Sequence, residues 1–77
     1  MNILIEYFEL MNYKILELTN TTIKLYDMDF QEVIEKTISE ATQDIIEMIE
    51  SKIQQDYYNL EAKEQFTQEI NQLKTLL

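Results

Sequence analysis

A long series of apolar residues spaced three or four positions apart constrains the fold of this chain most strongly. The series comprises Phe30, Ile34, Ile38, Ala41, Ile45, Ile49 and Ile53. This spacing places all of the side chains on one face of an α-helix. At its start, Asp29-Phe30-Gln31-Glu32 has the pattern of a capping box, in which the first carboxylate accepts a backbone amide and the glutamate reaches back. The sequence therefore predicts a helix of about six turns that begins near Asp29.

The apolar series is interrupted over residues 54–59 and then resumes. The later members are Phe66, Ile70, Leu73 and Leu77, and either Asp56 or Asn59 is suited to the N-cap position. We expect a second helix over residues 60–76 that folds back on the first. Because the interruption contains neither Gly nor Pro, a single continuous helix is the alternative.

The N-terminal third of the sequence has a different periodicity. Residues 13–18 and 22–28 alternate with a period of two, and Asn20 lies in the short polar segment between them. This pattern predicts a β-hairpin, because Asn tolerates the left-handed conformation of a tight turn. Residues 1–12 fit either a helix or a strand, and we favour a short helix that starts after Asn2.

These elements predict a single α+β domain over residues 1–77. A short N-terminal helix is followed by a β-hairpin and then by two antiparallel α-helices packed on the sheet. An elongated helical protein that dimerises is the alternative architecture.

The residue types that are missing exclude most kinds of active site. The chain contains no His, Cys, Gly or Arg, so imidazole bases, thiolate nucleophiles, zinc–thiolate sites and glycine-rich phosphate loops are excluded. We therefore expect a protein that is not an enzyme and has no cofactor and no metal site. A chain without cysteine also fits a cytoplasmic location.

The charge of the chain narrows the choice of partner. Fifteen Asp and Glu residues against six Lys give a net charge of −9. Such a chain is repelled by nucleic acid, whose binding requires cations that neutralise phosphates. Its apolar runs are also far shorter than the ~20 residues of a membrane span. The expected partner is therefore a protein.

An acidic face on the predicted central helix is the main candidate site. Glu32, Glu40, Glu47 and Glu50 fall opposite the apolar series, with Asp44 beside them. Like charges at these spacings destabilise a helix by a few tenths of a kcal/mol, and no cation is expected on the edge that carries Glu40, Asp44 and Glu47. Steps of four residues separate carboxylates by roughly 6 Å along the axis, close to the phosphate spacing of a nucleic-acid strand. This face is expected to bind the basic groove of a nucleic-acid-binding protein, although an ordinary solvated face is the alternative interpretation.

A tyrosine pair, Tyr57 and Tyr58, occupies the interruption between the two predicted helices. Tyrosine is common at the centres of protein interfaces because it combines a large apolar area with a polar tip. Tyr57 is therefore a candidate contact residue. In the alternative interpretation, one of the two rings covers the core between the helices.

The layout as a whole resembles the small acidic anti-CRISPR proteins of phages, of the type II-A kind that mimic DNA. The resemblance rests on the opening Met-Asn with Leu4-Ile5, the lysine-containing hairpin, and Gln55-Asp56-Tyr57 followed by further acidic residues. It implies an inhibitor that occupies the site where an RNA-guided nuclease reads its short recognition sequence. It further implies that Asp56, Glu61 and Glu64 are the mimicking carboxylates.

The candidate functions thus belong to two classes. The first is a non-enzymatic inhibitor, monomeric or dimeric, whose partner-binding residues are Glu32, Glu40, Asp44, Glu47, Glu50, Asp56, Tyr57, Glu61 and Glu64. The second is a structural or regulatory helical oligomerisation module that pairs through Ile70, Leu73 and Leu77. An obligate dimer would favour the second.

Overall fold

The computed structural model describes residues 2–77 and has the predicted α+β layout. Three helices and a three-stranded antiparallel sheet are described: α1 (Asn2–Leu10), β1 (Tyr13–Leu18), β2 (Thr22–Asp27), β3 (Glu32–Thr37), α2 (Ile38–Ile53) and α3 (Leu60–Lys74). The strand order is β1-β2-β3, so that β2 is the central strand. The short N-terminal helix, the hairpin and the two closing helices are therefore confirmed.

The hairpin of β1 and β2 forms at the segment that the alternation indicated. Its turn is closed by Thr19, whose backbone amide donates to the Thr22 carbonyl at 2.9 Å and whose hydroxyl accepts the Thr22 amide at 2.9 Å. The pairing shifts register between Ile15 and Glu17, which makes Leu16 an extra residue in β1. Such a bulge bends an edge strand and makes it a poorer template for further pairing.

The prediction that the central helix begins near Asp29 is wrong. Residues 32–37 form β3, which pairs with β2 so that Val33 lies opposite Tyr26 and Ile34 lies opposite Leu25. Pairing along the second edge of β2 satisfies its backbone groups, and the β-branched residues of this segment suit a pleated strand. Phe30, which the helical interpretation placed in the core, is 76% exposed.

Helix α2 begins instead at Ile38. Thr37 is its N-cap: the hydroxyl accepts the Glu40 amide at 3.1 Å, and the Glu40 carboxylate accepts the Thr37 amide at 3.3 Å. From this point the predicted apolar face is confirmed. Its buried residues are Ile38, Ala41, Thr42, Ile45, Ile46 and Ile49.

Helix α3 confirms the interruption and excludes the single continuous helix. Asn59 is the N-cap, and its side-chain oxygen accepts the Ala62 amide at 2.8 Å. Ile70 and Leu73 are buried, so α3 packs its apolar face on the core of its own chain.

The core lies on the helix-covered side of the sheet. Ile23 and Leu25 of β2 are fully buried there, together with Leu4 of α1 and Ile45 of α2. The intervening residues of the strands, including Lys24 and Glu35, lie on the opposite face of the sheet. Of the helices in residues 2–77, none has both the length and the apolar character needed to cross a membrane.

Candidate protein-binding surfaces

The outer face of α2 carries four of the predicted acidic residues. Glu40, Asp44, Glu47 and Glu50 are all exposed on the side opposite the buried isoleucines. The 16 residues of α2 correspond to about 24 Å of helix, so these side chains are spread along the molecule. Glu32 does not belong to this face, because it lies on β3.

Two of these four carboxylates have structural partners. Glu40 belongs to the capping box of α2. The Asp44 carboxylate accepts the Lys36 ammonium at 2.5 Å, so the expectation of an edge without a cation is wrong. Lys36 lies on β3, from which its side chain reaches α2.

Glu47 and Glu50 are less engaged. The amide nitrogen of Gln43 lies 3.5 Å from a Glu47 oxygen, which is a weak contact. Glu50 borders a shallow groove between α2 and α3, which Thr67 and Lys74 line from the other side. Both carboxylates remain exposed to a partner.

The connection between α2 and α3 adds further exposed carboxylates. Asp56 lies in the connecting segment, and Glu61 and Glu64 lie on the first turns of α3. We call the following set the helical acidic surface: Glu47, Glu50, Asp56, Glu61 and Glu64. The ion pairs found within residues 2–77 are Lys24–Glu17 and Lys36–Asp44, so none of these five carboxylates takes part in one.

The two tyrosines of this connection have different environments. Tyr58 packs edge-to-face on Phe66, with ring centroids 5.0 Å apart, and Phe66 in turn packs against the core. Tyr57 stacks edge-to-face on Tyr58 at 5.1 Å but is 87% exposed. Tyr57, which follows Asp56 in the sequence, is therefore accessible to a partner.

Behind this connection, a polar link joins the first helix to the last. The Tyr7 hydroxyl donates a hydrogen bond to Glu69 at 2.7 Å. Burial, followed by the hydrogen bond to Glu69, raises the pKa of Tyr7 above its usual range. The Lys52 ammonium lies 5.7 Å from the Tyr7 ring centroid and 5.8 Å from that of Phe66, which places a cation over two aromatic faces. These contacts fix α1, α2 and α3 relative to one another.

The carboxylates are not gathered into a metal site. Within residues 2–77, no group of three or more acidic side chains is arranged to hold a metal ion. The acidic residues are distributed along the helices instead, which is an arrangement suited to contacts with an extended charged surface.

A second exposed surface was not identified from the sequence. The turn after α1 and the turn between β2 and β3 lie side by side, because the Met28 amide donates to the Asn12 carbonyl at 3.1 Å. Leu10, Met28 and Phe30 are exposed at this end of the molecule, and we call these three residues the apolar end. The periodicity concealed it, because Phe30 fits the helical series.

Comparison with models of protein families, with curated proteins and with solved structures finds no match to this chain.

Proposed function

We propose that this protein is a non-enzymatic inhibitor that binds a nucleic-acid-handling protein in the cytoplasm. The helical acidic surface occupies the basic groove in which the partner normally holds nucleic acid. One observation carries this proposal: five exposed carboxylates on α2, on α3 and in the segment that connects them take part in no ion pair within residues 2–77, in a chain of charge −9.

The physical basis is electrostatic complementarity. A groove lined by Lys and Arg attracts carboxylates through the same charge complementarity with which it attracts phosphates. Charge complementarity also accelerates association, and both effects weaken as salt rises. Rigid helices position the carboxylates before binding, which lowers the entropic cost of the encounter.

The resemblance to DNA-mimicking anti-CRISPR proteins suggests a partner. In that case the partner is an RNA-guided nuclease, and the covered site is the one that reads the short recognition sequence on DNA. Asp56, Glu61 and Glu64 supply the mimicking carboxylates, and Tyr57 packs against the rim of the site.

The alternative of an oligomerisation module loses the surface on which it was based. Ile70 and Leu73 are buried in the core of their own chain, and Leu77 alone of the three is exposed. A dimer formed through all three residues would require the fold to open.

The proposal is tested by DNA cleavage with a panel of purified type II-A RNA-guided nucleases. We expect the protein to inhibit at least one of them at low salt. Excess duplex carrying the recognition sequence should relieve the inhibition. Removing two carboxylates, as in Glu61→Gln with Glu64→Gln, should weaken the inhibition and make it less sensitive to salt.

A matched control separates a local effect from a change in net charge. Glu17→Gln with Glu35→Gln removes the same two charges from the sheet, on its face away from the helices. This control should inhibit as the unchanged protein does. If none of the nucleases in the panel is inhibited, a nuclease of this type is not the partner. If both double variants lose inhibition equally, the helical acidic surface is not the contact.

A further inference from the structure

The two turns at the apolar end are held in one conformation by a network of hydrogen bonds. The buried carboxylate of Asp27 accepts the backbone amides of Asp29 and Phe30 at 2.9 and 3.2 Å. The Asp29 carboxylate in turn accepts the side-chain amide of Asn12 at 2.7 Å. Together with the bond from the Met28 amide to the Asn12 carbonyl, these contacts fix the backbone of the turn that carries Phe30.

This conformation is unfavourable at one residue. Asn12 and Gln31 have φ angles of 69° and 55°, which is the left-handed region. Asn tolerates this region, whereas Gln does not favour it. Left-handed geometry is costly for residues with a Cβ atom, and it persists only where surrounding contacts enforce it. The network and the buried Asp27 carboxylate supply that enforcement.

The enforced turns present large apolar side chains to solvent. Leu10 is 79% exposed and Phe30 is 76% exposed, and half of Met28 is exposed beside them. Holding the backbone of this turn in one conformation before binding lowers the entropic cost of association. Large apolar anchors of this kind carry much of the binding energy in protein interfaces.

Acidic residues surround this end. Glu6 and Glu9 lie on the last turns of α1, and Asp29 and Glu32 flank Phe30; all four are exposed. Residues 6–14 and 27–33 flank this end in the sequence, and they contain a single cation, Lys14. The apolar end therefore has a negatively charged rim.

We infer that the apolar end docks into an apolar pocket on a partner protein, and that Lys and Arg side chains border this pocket. Phe30 and Leu10 fill the pocket, and the acidic rim pairs with the cations around it. A second copy of this chain fits poorly, because two negative rims would meet. The anionic surface of a membrane is disfavoured for the same reason. This surface is distinct from the helical acidic surface and does not depend on nucleic-acid mimicry.

The test uses two model peptides titrated into the ¹⁵N-labelled protein. One is an amphipathic Lys/Leu helix, and the other is a Lys/Gln peptide of equal length and charge. We expect the Lys/Leu peptide to shift the amide resonances of Leu10, Met28 and Phe30. The Lys/Gln peptide should shift those resonances much less, because it lacks the apolar side chains that would bury Leu10 and Phe30.

A pair of variants defines the contribution of Phe30. Phe30→Ala should weaken binding of the Lys/Leu peptide about tenfold. Leu60→Ala, at a residue on α3 that is 73% exposed, should change it less than about twofold.

Four results would overturn the inference. The first is equal shifts at the apolar end with both peptides, which would indicate charge alone. The second is an equal effect of Phe30→Ala and Leu60→Ala. The third is a concentration-dependent dimer, seen by sedimentation without peptide and abolished by Phe30→Ala, which would identify a second copy as the occupant. The fourth is Phe30-dependent binding to vesicles of phosphatidylserine and phosphatidylcholine.

Discussion

Strand β3 and helix α2 follow one another without a break, draw on similar residue types, and adopt different structures. Both contain isoleucine and glutamate at comparable spacings, and both follow a possible capping box, Asp29-x-x-Glu32 or Thr37-x-x-Glu40. Only the second box forms. The first segment instead pairs with β2.

The difference shows which contacts determine whether such a segment forms a strand or a helix. Helix α2 buries six residues in the core, whereas the side chains of β3 are exposed or half-buried. The strand is therefore held mainly by backbone pairing with its neighbour, and the helix is held mainly by apolar burial. Substitution of a buried residue in α2 should therefore lower the free energy of unfolding more than a comparable substitution in β3.

The largest expected effect is that of a charge introduced into each segment. Ile45→Asp buries an unpaired carboxylate in the core of α2 and should unfold the protein, since its cost exceeds the few kcal/mol that a small domain has. Ile34→Asp lies at a half-buried site of β3 and should cost about 1–2 kcal/mol while leaving a folded protein. Urea unfolding followed by circular dichroism measures both. Equal losses would mean that β3 is as much a core element as α2.

A smaller effect tests where the helix begins. Thr37→Ala removes the N-cap of α2 and should lower the free energy of unfolding by about 1 kcal/mol. Asp29→Ala is the control, because Asp29 would be the N-cap if the helix extended over β3. A greater loss of helical circular dichroism in Asp29→Ala than in Thr37→Ala would contradict the observed boundary.

The buried face of α2 contains a polar group without a hydrogen-bond partner within residues 2–77. The hydroxyl of Thr42 is buried and makes no hydrogen bond within residues 2–77. Thr42→Val replaces it with a methyl group of similar shape and should raise the free energy of unfolding by about 1 kcal/mol. Thr67→Val, at an exposed site on α3, should change it by less than about 0.5 kcal/mol. If Thr42→Val is destabilising, the hydroxyl has a bonding partner.

The smallest effect concerns the residue before β3. Gln31 has a left-handed backbone, so Gln31→Gly should relieve strain and raise the free energy of unfolding by about 0.5 kcal/mol. Asn20→Gly, in the hairpin turn where φ is negative, should give no such gain. Thermal unfolding of the two variants decides whether the strain at the entrance to β3 is real.

Much of the fold follows from local patterns in the sequence. The period of two predicted β1 and β2. Asn59 was one of two candidate N-caps for the last helix, together with Asp56, and its side chain caps the first turn of α3. Local patterns did not predict β3, because Phe30, Ile34 and Ile38 also satisfy helical spacing. The decisive fact is that β2 has a second edge to be paired, and this is a property of the assembled sheet.

The candidate surfaces were predictable to a lesser degree. The exposure of Glu47 and Glu50 follows from the helical period, and the structure places both on the outer face of α2. The pairing of Lys36 with Asp44 required the position of β3, and the apolar end required the contact between two turns far apart in sequence. Local periodicity carries no information about such contacts.

The hydrogen bond from Tyr7 to Glu69 joins residues 62 positions apart and has a consequence for synthesis on the ribosome. The sheet and α2 can assemble from neighbouring segments as they emerge, since each strand pairs with the next one in sequence. The Tyr7 hydroxyl lacks this partner until the segment containing Glu69 has left the exit tunnel. Emergence of α3, and not formation of the sheet, is then the step that completes the fold.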